Sequence, residues 1–272
     1  MMKSAWSSPV QSLRTVRSAV QILLTRGMPS RLKRRFLFRG LVFVQRRDLA
    51  HLELLSKGFT KYIQEFRSDS EFQRGLSERL QRAKEVNPRF GGCPVSPTLE
   101  FIYALVRHSQ PEVLVETGVG GGGTSLCILK ALQANGKGHL YSIDLPGADE
   151  VLFPDVFANV HVPRGYEPGW LVPSELRGRW TLILGDAKLQ LPILLSKLER
   201  IDFFFHDSLH TYDHMMFEYC LAYAHLGDGA WMLSHDVTPS WSLAFMDFCD
   251  ALHLDFALVN GELGVTLVAR RG

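Results

Sequence analysis

The spacing of apolar positions changes near residue 90. Before that point the period is helical: Val10, Leu13, Val16, Val20 and Leu23 recur on one face until Gly27 and Pro29 stop them. Leu52, Leu55, Phe59, Tyr62, Ile63 and Phe66 trace a second helical face. Ser68-Asp69-Ser70 supplies a break and a cap, from which Phe72 to Ala83 continues in helical spacing. Asn87 to Pro97 is crowded with Pro and Gly and marks a boundary; Thr98 to Ser109 predicts a helix leading into the next domain. The expected organisation is a helical extension over residues 1–90 and a second domain over 91–272.

In that second domain, short apolar runs end in polar or acidic residues: Glu112–Glu116, His139–Asp144, Trp180–Asp186, Ile201–Asp207 and Gly229–Asp236. Helical stretches separate most of them, a pattern that predicts an α/β fold with a parallel sheet buried on both faces. Asp255–Asn260 and Leu263–Arg270 are β-rich and meet across Asn260-Gly261, which favours a type I′ turn and so an antiparallel hairpin. Five parallel strands plus a C-terminal hairpin are therefore expected, with ligands gathering at the carboxyl ends of the strands. The long crossover from Leu145 to Arg179 reads either as a lid or as a loop that Tyr166 and Trp170 pin to the sheet.

Composition sharpens this picture in two places. With 46% hydrophobic residues the chain can bury a full core, and its four cysteines form no C-x-x-C pair, which points to reduced thiols in a cytoplasmic setting. The formal charge of +2 conceals a division, since residues 1–90 carry 19 Lys and Arg against 7 Asp and Glu, and residues 91–272 carry 11 against 21. No acid precedes Asp48, and Arg31-Leu-Lys-Arg-Arg35 adjoins an apolar run, Phe36 to Val44, shorter than the roughly 20 residues a membrane span requires. The basic leader is open to three readings: a solvated or core-docked helical extension, an amphipathic element at a membrane surface, or a targeting peptide. Without an aromatic stacking motif beside the basic residues, nucleic acid is not an expected partner. The N-terminal helices would equally serve a homo-oligomer.

Candidate chemistry lies at the strand ends. Val115-Glu-Thr-Gly-Val-Gly-Gly-Gly-Gly-Thr-Ser125 comes after a strand and opens a helix, and Gly118 and Gly120 would let a ligand approach the backbone, with Thr124 and Ser125 in the first helical turn. Glu116 would repel a pyrophosphate and suits a cationic ligand such as the sulfonium and amino group of S-adenosylmethionine. Asp144, 26 residues after Gly118, ends the next strand, where a carboxylate can accept both ribose hydroxyls of an adenosine. Asp186 and Ala187 end the third strand; Asp186 suits an adenine amino group and also a helix N-cap. In His206-Asp-Ser-Leu-His-Thr-Tyr-Asp-His214, Asp207 sits at a strand tip and a tight turn would return His210 toward the same pocket. Asp207, His235 and Asp236 would converge on one divalent cation, or else cap helices and pair with one another.

Residues from about 95 to 270 resemble the methyltransferase 24 family. They also resemble the metal-dependent sugar O-methyltransferases of macrolide and aminocoumarin biosynthesis and, more distantly, catechol O-methyltransferases. The resemblance is carried by Glu116-Thr-Gly-Val-Gly, Asp144, Gly185-Asp186-Ala187, Asp207-Ser-Leu-His210-Thr-Tyr and His235-Asp236. It implies a Rossmann-like class I methyltransferase fold and S-adenosyl-L-methionine-dependent methylation of a hydroxyl on a small molecule, such as a glycosyl natural product. It also implies Mg²⁺ or Mn²⁺ at Asp207, His235 and Asp236, with His210 as base; Asp207 counts among the cofactor-contacting residues too. His235 stands where those relatives carry a carboxylate, which would weaken Mg²⁺ relative to softer ions. Residues 1–90 fall outside the resemblance. A metal-free methyltransferase and a non-catalytic scaffold of the same fold are the competing readings. Base N-methylation is disfavoured, because no Asn/Asp-Pro-Pro-aromatic motif comes after the fourth strand.

Overall fold

The computed structural model describes residues 43–45, 50–86, 97–146, 162, 165–237, 243–259 and 263–268. The first predicted helix and the Asn260-Gly261 turn lie outside them. The described helices are α1 (Ala50–Ser68), α2 (Ser70–Val86), α3 (Pro97–Ser109), α4 (Gly123–Asn135), α5 (Ala187–Leu195), α6 (Tyr212–His225) and α7 (Ala244–Ala251). The strands are β1 (Phe43–Gln45), β2 (Val113–Thr117), β3 (His139–Asp144), β4 (Trp180–Leu184), β5 (Ile201–His206), β6 (Leu226–Ser234), β7 (Phe256–Val259) and β8 (Leu263–Leu267). A 3-10 helix, Ser174–Arg179, leads into β4.

They form one mixed sheet in the order β1-β7-β8-β6-β5-β2-β3-β4. Strands β2 to β6 are mutually parallel, and β7 and β8 add the antiparallel hairpin beside β6. The outer strand β1, antiparallel to β7, is an addition that the apolar pattern does not suggest. From β2 the chain winds outward through β3 and β4, then returns to lay β5 on the other side of β2. That reversal opens a crevice beyond the carboxyl ends of β2 and β5, the place where sheets of this kind bind ligands.

Alternate strand residues face opposite layers. Leu114, Leu140, Phe203, Phe205 and Leu233 join a core with α3 and α4, whereas Val115, Ile143, Phe204 and Met232 face α5, α6 and α7. Helices α1 and α2 extend the first of these cores through Phe59, Phe66, Leu76, Leu80 and Ala83. Phe66 stacks on Tyr103 with centroids 5.0 Å apart, and Arg67 grips Glu100 through two bonds of 2.8 and 2.6 Å. Burial of a side chain such as Phe66 contributes about 1.5–3 kcal/mol. The predicted break between the helices is real: Asp69 accepts the Phe72 N–H at 3.0 Å and caps α2. Among the described residues, no helix is long and apolar enough to cross a membrane.

Candidate active site

Pleating sends two neighbouring residues of β2 to opposite layers. Glu116 faces α4, where it is fully buried and its Oε2 accepts hydroxyl bonds from Ser125 and Ser142, both 2.7 Å. Ser142 lies directly across the ladder on β3 and in turn accepts Trp180 Nε1–H at 2.9 Å. Among the described residues, Glu116 Oε1 has no hydrogen-bond partner. Burial, only partly opposed by the two serine hydroxyls, pushes the carboxyl up to about 8.

The glycine loop begins one residue beyond β2. Gly118 has φ +83°, and a Cβ there would stand 2.0 Å from the Asp207 carbonyl oxygen, so only glycine lets β2 and β5 close at their tips. Asp207 N–H donates to Thr117 O at 2.8 Å across the same junction. Gly120 also has positive φ, and Thr124 and Ser125 occupy the first turn of α4. Asp144, at the tip of β3, accepts N–H bonds from Val119 (2.9 Å), Gly120 (2.7 Å) and Leu145 (2.7 Å). Burial nonetheless raises its pKa. Among the described residues its Oδ1 takes only the Leu145 bond, which leaves a lone pair for a ligand hydroxyl. Asp186 caps α5 by accepting Lys188 N–H at 2.8 Å; it is exposed, with half-buried Ala187 beside it. Gly185 N–H bonds to Asp144 O at 2.8 Å, so both acids stand on one edge.

Part of the crossover is pinned to this loop. Gly169 and Leu171 donate N–H bonds to Gly120 O and Gly121 O at 2.8 and 3.0 Å, and Leu171 and Val172 are buried. Tyr166 and Trp170 stack with centroids 4.8 Å apart. Residues 147–161, the other part of the expected lid, lie outside the described residues.

Across the crevice, the tips of β5 and β6 bring Asp207, His210, His235 and Asp236 together. His235 Nδ1 lies 3.1 Å from Asp207 Oδ1 and 3.5 Å from Asp236 Oδ1; His210 Nε2 lies 3.5 Å from Asp207 Oδ1 and 3.8 Å from Asp236 Oδ2. One donor atom from each of Asp207, His210 and His235 falls within 4.8 Å of the others. This donor set fits a divalent cation, and two imidazole nitrogens make it softer than an all-oxygen site. The structure thus adds His210 to the potential ligands and leaves Asp236 at their flank. Burial acts to raise the Asp207 pKa but is outweighed by His235 and His210, which hold it below the usual carboxylate range.

Beneath this cluster lies a network that no sequence motif announces. Thr117 and His206, register partners on β2 and β5, face α6 and meet Glu218, which is 0% exposed. Glu218 Oε2 accepts from Thr117 Oγ1 at 2.5 Å and lies 2.6 Å from His206 Nδ1. Its Oε1 accepts from Ser208 Oγ at 2.9 Å and lies 2.8 Å from His214 Nε2. Burial works against ionisation, but these partners keep the Glu218 pKa well below its ordinary value. The one signal in the sequence is an acid on a helix face otherwise filled by Met215, Tyr219 and Ala222, four residues after a histidine.

Residues 115–237 match the methyltransferase 24 family, described as a methyltransferase domain. No curated protein matches the chain in sequence. Among solved structures, it is similar to an O-methyltransferase from Bacillus cereus in complex with S-adenosylhomocysteine, at 17% identity and a TM-score of 0.52, covering 72% of this chain and 91% of that one. It is also similar to the O-methyltransferase NovP (16%, 0.51, covering 69% and 88%). A putative O-methyltransferase from Klebsiella pneumoniae gives 18% and 0.50, covering 71% and 90%.

Proposed function

We propose that this chain, whose residues 115–237 match the methyltransferase 24 family, is a class I S-adenosylmethionine-dependent methyltransferase that methylates a hydroxyl oxygen of a small polyhydroxylated molecule. One observation carries the reading: the glycine loop with Asp144 and the Asp207/His210/His235/Asp236 cluster meet across a single backbone junction, Asp207 N to Thr117 O. S-adenosylmethionine, when bound, supplies an electrophilic methyl group on its sulfonium.

Gly118 and Gly120 clear room for that cofactor, with Thr124 and Ser125 at the start of the adjoining helix. Asp144 takes its ribose hydroxyls, Asp186 and Ala187 border its adenine, and Glu116, once ionised, supplies the negative charge that its cationic end prefers. Asp207 and His235, with Asp236 at their flank, would hold a divalent cation, Mg²⁺ or Mn²⁺, which when bound lowers the pKa of a hydroxyl near it. His210 receives the acceptor's proton at Nε2, the nitrogen that faces Asp207 and Asp236 at 3.5 and 3.8 Å. The two carboxylates stabilise the imidazolium that results. A glycosyl natural product is the acceptor class that we favour, from the resemblance of the motifs.

Calorimetric titration with S-adenosylhomocysteine, with chelator and then with added Mn²⁺, tests this reading. Binding by the wild type, its loss in Asp144→Ala and a separate heat from Mn²⁺ are expected. No S-adenosylhomocysteine binding under any condition would overturn it, and binding without any metal heat would remove the cation alone.

A further inference from the structure

We propose that Glu218 is a positioning residue. Through Thr117, His206 and Ser208 it holds the tips of β2 and β5, and so sets where Asp207 and His210 stand relative to the glycine loop. The proposal rests on the proposed roles of those two residues in the cation site and as base.

A carboxylate buried in an apolar layer is costly unless every lone pair is used. Glu218 meets that condition with two partners on each oxygen, and they come from three separate stretches of chain. Thr117 immediately precedes Gly118. His206 and Ser208 flank Asp207 on either side, and His214 lies one helical turn before Glu218 itself. One buried group thus grips the residues on both sides of Asp207 and the residue that enters the cofactor loop.

The same group reaches His210 through His206. With Nδ1 turned to the carboxylate, His206 donates from that nitrogen; its Nε2 is buried without a hydrogen-bond partner. The His206 ring stands edge-on to that of His210, with centroids 5.3 Å apart and planes at 75°. Leucine at position 218 alone would match the apolar face formed by Met215, Tyr219 and Ala222 but would leave Thr117, His206, Ser208 and His214 without their shared acceptor, whereas an apolar layer throughout would carry no burial cost. Replacing a whole buried ionic network by apolar groups is often neutral or stabilising, so stability alone does not account for the network. Geometry does, because small displacements at a reacting centre are expensive.

The test uses Glu218→Leu and Glu218→Gln in the full chain, with Leu105→Ala, in the core on the other side of the sheet, as a destabilised control. Each is titrated with S-adenosylhomocysteine and with Co²⁺, whose visible absorption reports its ligands. Both Glu218 variants are expected to retain S-adenosylhomocysteine, to lose Co²⁺ affinity by roughly tenfold to a hundredfold and to shift the Co²⁺ band. Leu105→Ala should leave the band in place. Folded Glu218 variants with wild-type Co²⁺ affinity and band would overturn the proposal. So would S-adenosylhomocysteine and Co²⁺ affinities that fall together with melting temperature, as in the control. Should the wild type bind S-adenosylhomocysteine but not Co²⁺, the cation assignment fails alone, and the imidazole ¹⁵N spectrum decides: resonances of His206 and His210 that shift in the variants support positioning of His210 by Glu218, and unchanged His210 resonances overturn it.

Discussion

Glu116 and Glu218 are both fully buried, and both serve the tip of β2, one from each layer of the sheet. Their chemistry diverges because their partners do. Glu116 meets two serine hydroxyls, retains an oxygen without a partner and is pushed up to about 8. Glu218 meets two imidazoles and two hydroxyls, has no acceptor to spare and is held low. The difference separates a carboxyl that can still take a cationic ligand from one fully committed to the protein. Alternation along β2 turns Glu116 to the α4 layer, the proposed cofactor side, and Thr117 to Glu218 in the α6 layer, beneath the proposed acceptor side.

The largest effect is expected where the two sides join. Gly118→Ala places a Cβ 2.0 Å from Asp207 O at φ +83°, so the tips of β2 and β5 must part. Loss of both S-adenosylhomocysteine and metal binding, with a lower melting temperature, is the expected outcome in calorimetry and thermal unfolding. Retention of either ligand would show that the two sides are not coupled at this junction. Next in size is His210→Ala, which removes the proposed base but not the loop. Turnover should fall by roughly two to four orders of magnitude with S-adenosylhomocysteine affinity intact; equal turnover would end the base assignment.

Glu116→Gln addresses the comparison directly. The folded pKa, raised from 4.5 to about 8, lies above the unfolded one, so the stability linked to Glu116 is complete below pH 4.5 and is lost as pH rises through about 8. Urea unfolding at pH 5, 7 and 9 should show the variant gaining on the wild type by roughly 3–5 kcal/mol across that window. S-adenosylmethionine affinity of the wild type should rise with pH over the same range, because ionised Glu116 attracts the cofactor's positive charge, and should stay flat in the variant. Parallel unfolding curves at all three pH values would place the titrating group elsewhere.

The same contrast explains what is legible in the sequence. The five parallel strands, the hairpin partners and the cap at Asp69 can be read from local periodicity and breakers. The loop proposed to hold the cofactor can also be read, because it is built on backbone geometry: glycines at fixed offsets and an acid at the next strand tip. Asp207, His210, His235 and Asp236 are legible as strand-tip residues, and the structure brings all four together. Glu218 is not, since its role depends on which helix covers β2 and β5 and on a register that sets Thr117 opposite His206. Nor is β1, three residues whose pairing with β7 no local pattern announces.

Asp186 provides the smallest and most separable effect. Its carboxylate caps α5 and stands beside Asp144 at the edge of the crevice, so one side chain would serve both stability and cofactor. Asp186→Ala removes both roles and should lower stability by about 1 kcal/mol. Asp186→Ser retains a hydroxyl able to cap the helix but cannot reach an adenine amino group as a carboxylate would. The serine variant should therefore unfold like the wild type and bind S-adenosylhomocysteine as weakly as the alanine variant does. If its affinity instead matches the wild type, Asp186 is a cap and nothing more, and adenine is held by the backbone around Ala187.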